Sequence, residues 1–364
     1  MEKITFHGSD LELIEKYYHI PKEHIINFGA NVNPLGISPK LRKSLEENID
    51  AIQTYPDREY TDLRQSLSEY CGAPVSHILV GSGATDLISR FIKSLAPKKA
   101  LLIDPTYSEY AREVALEGGS LVSFPLLEED DFKLDKARLF RTLDPSFDMV
   151  ILCNPNNPTG TAVYQNDLCE ILDFCLKRDI YLLIDETYVE FADDMEEITA
   201  IPLTEKYENL FVLRGISKFF AAPGLRLGYG VTGSRKLYGL INDSKNPWSI
   251  NSLAAACAPE MFRDAEYIAK TKEFIQKERS RLLSKLSKES CLHVYRPSSN
   301  FVLLKILNPD VTSQMVFEHT IRDGLMLRDC SSFPGLGDNH IRFCFCMPDE
   351  NDRLIAKILE AVRQ

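Results

Sequence analysis

No two of the nine cysteines are spaced as Cys-x-x-Cys, and the seven histidines lie far apart with no metal-ligand spacing. Zinc sites and thioredoxin-type redox motifs therefore have nothing to stand on, and no metal is expected. Scattered thiols, odd in number, suit a reducing cytosol. No apolar run approaches the roughly 18 residues that span a bilayer. The opening Met1-Glu-Lys-Ile-Thr-Phe-His7 is too polar for a secretory leader. Positive charge is also scarce, since 42 Lys and Arg against 53 Asp and Glu leave a net charge of −11. Nucleic acid and anionic membrane are therefore not expected as partners. A hydrophobic content of 44% is too high for a disordered chain, so a cytoplasmic globular protein is expected. Its 364 residues suit one large domain plus a smaller one.

No repeat or low-complexity segment breaks the chain. From residue 77, short apolar runs alternate with amphipathic stretches: His77-Ile-Leu-Val, Ala100-Leu-Leu-Ile-Asp, Met149-Val-Ile-Leu-Cys, Tyr181-Leu-Leu-Ile-Asp and Leu210-Phe-Val-Leu-Arg. Such nearly continuous apolar runs suit strands buried on both faces of a mostly parallel sheet. Helical spacing over residues 86–95 and 168–177 completes an α/β pattern with helices on both faces. After Trp248 the texture changes to a long amphipathic helix over 266–289, strands at Asn300-Phe-Val-Leu-Leu and His340-Ile-Arg-Phe-Cys-Phe-Cys346, and a closing helix from Asp349. The expected organisation is an arm over 1–45 that joins the small domain, a large α/β domain over 46–250 and a small α+β domain over 251–364. Alternation in the last strand would turn Cys344 and Cys346 to one face.

The residues just past the end of each run carry the chemistry. The first run leads to Gly81-Ser-Gly-Ala-Thr-Asp86, the second to Pro105-Thr-Tyr107 and the third to Asn154-Pro-Asn-Asn-Pro-Thr-Gly160. The fourth ends in Asp185-Glu-Thr-Tyr188, and the fifth runs into Gly215-Ile-Ser217-Lys218. Ligands of parallel α/β sheets bind beyond the carboxyl ends of the strands, so these groups converge on one edge. The glycines before a helix make a phosphate cradle. A dinucleotide fingerprint is the rival, but Asp86 occupies its third glycine position, and Gly-x-Gly alone is equally a tight turn. The Asn-Pro loop is equally a rigid turn, and Asp185 equally a helix cap. Lys218 precedes Phe219-Phe220, an apolar setting that depresses an amine toward nucleophilic use. Arg226, eight residues on, offers a second cation for a phosphate.

Together these groups match the needs of pyridoxal phosphate: a lysine for the aldehyde, an Asp for the ring nitrogen, Asn and Tyr for the phenolic oxygen, and an aromatic ring to stack on. A helix N-terminus with Ser and Arg suits the phosphate. Two readings of other kinds compete. A nicotinamide-dependent oxidoreductase leaves Lys218 and Arg226 unexplained. A non-catalytic pyridoxal-phosphate-binding regulator lacks a segment long or basic enough for a DNA-binding module.

With these motifs in view, nearly the whole chain resembles the fold-type-I pyridoxal-phosphate enzymes of the class I/II aminotransferase family. The resemblance implies a homodimer and a cofactor linked to Lys218, which then moves the proton at the substrate Cα. It implies that Asp185 meets the ring nitrogen, that Asn157 and Tyr188 meet the phenolic oxygen, and that Tyr107 stacks on the ring. The phosphate would rest on Gly83, Ala84 and Thr85, with Ser217 and Arg226, and Tyr55 would reach the phosphate of the neighbouring subunit. Gly215 stands where relatives commonly carry Ser or Thr. Within the family, His7-Gly, Ala30-Asn-Val-Asn-Pro-Leu-Gly36, Lys218-Phe-Phe-Ala-Ala-Pro-Gly-Leu-Arg-Leu-Gly-Tyr229 and Arg328-Asp-Cys-Ser-Ser-Phe-Pro-Gly-Leu336 point to one branch. That branch holds histidinol-phosphate aminotransferase and cobalamin-pathway threonine-phosphate decarboxylase, and these segments look closer to the decarboxylase. By that likeness Arg342 binds a substrate carboxylate, and Arg328 and His7 are candidates for a distal phosphate. Decarboxylation of a phosphorylated amino acid is the expectation, with transamination the alternative.

Overall fold

The computed structural model describes Phe6, Gly8 and residues 10–363; His7 and Ser9 lie outside the described residues. A short strand, Ile26–Asn27 (β1), precedes the central sheet. That sheet comprises Ile78–Gly81 (β2), Lys99–Asp104 (β3), Ser120–Pro125 (β4), Met149–Cys153 (β5), Tyr181–Asp185 (β6), Leu210–Gly215 (β7) and Gly228–Val231 (β8). Its spatial order is β2-β8-β7-β6-β5-β3-β4, parallel except for β8, which runs against both neighbours. The five apolar runs are β2, β3, β5, β6 and β7, and nearly every residue in them is buried. Continuous burial follows from helices on both faces.

Two strands lack the continuous apolar signature. β4 is an edge strand whose burial alternates with exposure, so Ser120, Val122 and Ser123 dilute the pattern. β8 holds Gly228 and Gly230; a Cβ on Gly230 would lie 2.3 Å from the Phe211 ring, so packing demands a residue that sequence reads as turn.

The remaining strands are Leu292–Tyr295 (β9), Phe301–Ile306 (β10), Leu325–Met326 (β11), Arg328–Asp329 (β12) and His340–Cys344 (β13). Antiparallel pairing gives a second sheet of order β12-β13-β10-β9. β1 pairs in parallel with β11, which ties residues 26–27 to 325–326. The long helix spans Ala265–Leu286 and the closing helix Pro348–Val362. β13 ends at Cys344, so Cys346 lies beyond the strand, where its amide donates to Asn351 Oδ1 at 2.9 Å. Among the described residues no helix is long and apolar enough to cross a membrane.

A buried ion pair fixes two strand ends near the site. Arg214 Nη2 and Nε donate to Glu186 Oε2 at 2.8 and 2.9 Å, and the Thr199 hydroxyl donates to the same oxygen at 2.8 Å. A buried pair is tolerable when its hydrogen bonds are filled in this way. It braces the residues directly after Asp185 and directly before Gly215.

Candidate active site

Five parallel strands end at one edge of the central sheet, where a cavity of about 670 Å³ opens. Helix Ala84–Leu95 starts there. Gly83 precedes it at φ +91°, and a Cβ in its place would lie 2.5 Å from Arg226 Nη2. On the other side, a Cβ on Gly228 would lie 2.7 Å from the Ala84 nitrogen. Two glycines thus let β8 and Arg226 close on a helix start whose first amides have no partner within the helix. Ala84, Thr85, Ser217 and Arg226 line the cavity at this end, an anion cradle of backbone dipole plus cation. At Gly215 a Cβ would meet the Ala84 Cβ at 3.5 Å and the Ala84 nitrogen at 4.0 Å, ordinary contacts, so the hydroxyl missing there is not excluded by crowding.

Asp185 ends β6 on the cavity wall and is 4% exposed. Tyr110 Oη donates to its Oδ2 at 2.7 Å, while the Thr187 amide and hydroxyl donate to Oδ1 at 2.9 and 2.5 Å. Burial pushes its pKa up, and the bonds from Thr187 and Tyr110 offset part of that rise. Tyr107 lines the same cavity, its ring edge-on to Tyr110 at 5.7 Å between centroids.

Lys218 projects from the turn after β7, and its Nζ donates to the Ala30 carbonyl at 2.6 Å. Burial first, then the nearby Arg342 charge, lowers its pKa to about 8. The neutral fraction near neutral pH is thereby far larger than for an ordinary lysine, as a nucleophilic amine requires. Facing it, Asn157 Oδ1 accepts from Arg342 Nη1, which turns the Asn157 amide nitrogen elsewhere. Tyr188 Oη accepts from Asn31 Nδ2 at 3.3 Å, leaving its own proton to donate.

Arg342 Nη2 donates to the Gly29 carbonyl at 2.7 Å, and its Nε has no hydrogen-bond partner among the described residues. Arg328 stands across from Arg342 in the β12–β13 register, donates to Ser332 Oγ at 2.8 Å and lies over the Phe333 ring at 5.3 Å. Both arginines line the cavity. Tyr55 does not: it is 80% exposed, with its ring 4.9 Å from that of Trp248. His7 lies outside the described residues.

Tyr110, Thr187, Asn31, Ala30 and Gly228 are the participants that sequence reasoning missed. Asn31 and Ala30 lie in a segment that reads only as a marker of one branch. Tyr110, one helical turn beyond Tyr107, is the one with a usable spacing signal.

Residues 23–358 match the family described as aminotransferase class I and II. The chain belongs to that family. It is accordingly an enzyme of the pyridoxal-phosphate-dependent kind, and the cavity fits that cofactor. The anion cradle, the buried Asp185 carboxylate and the partly neutral Lys218 amine are three distinct requirements met in one space. The chain is similar to the threonine-phosphate decarboxylase of Salmonella typhimurium, 31% identical with 97% of this chain and 95% of that one covered. A protein of Caldanaerobacter subterraneus subsp. tengcongensis, provisionally named a threonine-phosphate decarboxylase, is 36% identical over 90% of this chain and 87% of its own. The crystal structure of the histidinol-phosphate aminotransferase from Clostridium acetobutylicum superposes with a TM-score of 0.86 at 30% identity, covering 92% and 98% of the two chains.

Proposed function

We propose that this enzyme removes the carboxylate of a phosphorylated L-amino acid, with O-phospho-L-threonine the first candidate. The observation that carries the proposal is the pairing of Arg328 and Arg342 on adjacent strands, both at the wall of one cavity. Two guanidinium groups so close repel one another unless anions lie between them, and a phospho-amino acid brings two anions on one short frame. Arg342 takes the carboxylate and Arg328 the phosphate, with His7 a further candidate for the latter. An amino-alcohol phosphate would leave Arg342 without an anionic partner.

Pyridoxal phosphate, once bound, supplies an electron sink for the bond broken at Cα. Ala84, Thr85, Ser217 and Arg226, with Gly83 at the turn, would hold its phosphate, and Tyr107 would lie against its ring. Asp185 keeps a negative charge at the ring nitrogen. Asn157 and Tyr188 donate to the phenolic oxygen. Lys218 would bond the aldehyde between turnovers and would deliver a proton to the substrate Cα. Which bond at Cα breaks would be set by how Arg342 and Arg328 anchor the two anionic ends of the substrate. Homodimers complete the site, Tyr55 of each subunit reaching the phosphate held by the other; its exposure beside Trp248 supports this.

Transamination is the second reading, favoured by the likeness to the Clostridium acetobutylicum aminotransferase. A single turnover of holoenzyme with O-phospho-L-threonine and no keto acid separates the two. Carbon dioxide release with the starting cofactor absorbance restored is expected. Conversion of the cofactor to its amine form without carbon dioxide would overturn decarboxylation in favour of transamination.

A further inference from the structure

A hydrogen-bonded chain behind the cavity wall is left unused by this chemistry. Ser332, Phe333 and Pro334 line the cavity from the loop between β12 and β13. On the return leg of that loop the Leu336 carbonyl faces Nδ1 of His340, the first residue of β13. A carbonyl can only accept, so Nδ1 carries the proton in either charge state of the ring. His340 is 1% exposed. Its Nε2 lies 3.4 Å from Tyr295 Oη on β9, and that hydroxyl, also 3.0 Å from Glu128 Oε1, has one proton to place toward either partner. Glu128 also accepts from Lys305 of β10. The same wall is closed by Phe132, whose ring meets Tyr295 at 5.0 Å and His340 at 6.1 Å. The Phe132 carbonyl in turn accepts from the Thr161 hydroxyl at 3.2 Å, beside the loop that presents Asn157.

We propose that His340 is a positioning residue for substrate binding: it pins the Leu336 carbonyl, sets residues 332–334 against the cavity and so steers Arg328, with Tyr295 and Glu128 bracing the imidazole from behind. The link to Arg328 is direct, since Ser332 accepts from its guanidinium and Phe333 lies under it. A histidine suits this position because one nitrogen can hold the loop while the other meets a brace drawn from Tyr295 and Glu128, 167 positions apart in the chain. The loop's own bonds are short-range turns, Phe333 N to the Cys330 carbonyl at 3.0 Å and Leu336 N to the Phe333 carbonyl at 3.3 Å, so the His340 contact is what ties Leu336, set between Gly335 and Gly337 at φ +84° and +65°, to β13. The proposal rests on the phosphorylated-substrate reading for its kinetic consequence only.

The test compares wild type, His340→Phe and His340→Asn as holoenzymes, by steady-state kinetics with O-phospho-L-threonine and by amide hydrogen exchange of residues 332–336. Loss of the hydrogen bond in His340→Phe is expected to raise KM about tenfold, with kcat within about twofold. Exchange at 332–336 is expected to be faster, and His340→Asn, whose amide nitrogen can replace Nδ1, to recover most of both effects. Unchanged exchange in His340→Phe, or an Asn variant no better than Phe, overturns the proposal. Should His340→Phe fail to fold, Tyr295→Phe removes only the brace hydroxyl; faster exchange at 332–336 supports the proposal and unchanged exchange overturns it. If wild type leaves O-phospho-L-threonine untouched, the substrate reading fails while the exchange comparison still decides the role of His340.

Discussion

Arg328 and Arg342 face one another across the β12–β13 ladder, and both reach the wall of the cavity that holds Lys218. Burial lowers the pKa of Arg328, with the Arg342 charge adding to the effect, so the pair stores a demand for anions. Arg328→Gln should raise KM for O-phospho-L-threonine by roughly ten- to hundredfold, the range for losing a charge-assisted hydrogen bond. KM for unphosphorylated L-threonine should barely move. Steady-state kinetics with both substrates checks this, and equal losses for the two would place Arg328 away from the phosphate.

The lowered pKa of Lys218 has a direction that can be read in solution. Its amine reacts only when neutral, so capture of pyridoxal phosphate by cofactor-free protein should accelerate as pH rises through about 8 and level off above it. Burial is the larger cause and Arg342 the next, so Arg342→Met should move the midpoint upward, toward the ordinary lysine value but not all the way. Stopped-flow absorbance across pH gives both midpoints.

Tyr110 and Asp185 form a second pair with a consequence. Removing the Tyr110 hydroxyl deprives the buried carboxylate of one of its donors, and its pKa should rise further above the usual value. Protonated Asp185 no longer offers a negative charge to the ring nitrogen, so Tyr110→Phe should lower kcat several-fold, by an amount of the order of one hydrogen bond. The loss should be greatest at low pH, where the carboxyl is more often protonated. A pH–rate profile beside wild type shows whether the acidic limb moves up.

Two glycines at the phosphate end should respond in opposite ways. Gly228→Ala drives a Cβ to 2.7 Å from the Ala84 nitrogen, so the cradle must open; Gly215→Ser meets the Ala84 Cβ at 3.5 Å and its nitrogen at 4.0 Å, ordinary contacts. We expect the first to weaken cofactor binding about tenfold or more. The second should leave binding unchanged or tighten it. Equilibrium dialysis against pyridoxal phosphate measures both.

If Tyr55 serves the neighbouring site, two dead variants should rescue one another. Lys218→Ala and Tyr55→Ala subunits, mixed under conditions that exchange partners, form hybrid dimers with one intact site each. About a quarter of all sites should then be active for a shared two-fold site. Activity no higher than the sum of the parents would return Tyr55 to its own subunit's surface.

Burial governed how much could be read from sequence. β3, β5 and β6 have apolar centres because helices cover both faces, and Asp185 and the Asn-Pro loop follow at the strand ends where expected. β4 lies at the sheet edge with one side toward solvent, and β8 trades apolar side chains for glycine so that Phe211 and the Ala84 amide can approach. Those demands come from neighbours far along the chain. The same holds for Asn31, whose bond to Tyr188 spans 157 positions, and for Tyr110, whose target Asp185 is fixed only when β6 meets helix Glu109–Leu116. Motifs carry the reacting groups; the residues that orient them are set by tertiary packing.

The parallel pairing of Ile26–Asn27 with Leu325–Met326 also has a bearing on synthesis. The segment just past β1 supplies the Ala30 carbonyl to Lys218, and its Asn33 side chain donates to the Phe219 carbonyl and Thr271 Oγ1 at 2.9 and 3.0 Å. These early residues leave the ribosome first, yet their partner strand emerges only when the chain is nearly finished. Until then the segment that carries the Ala30 carbonyl lacks the β11 pairing that anchors its start. A chain that stops short of residue 325 should therefore hold pyridoxal phosphate more weakly than the full chain, however well its central sheet folds.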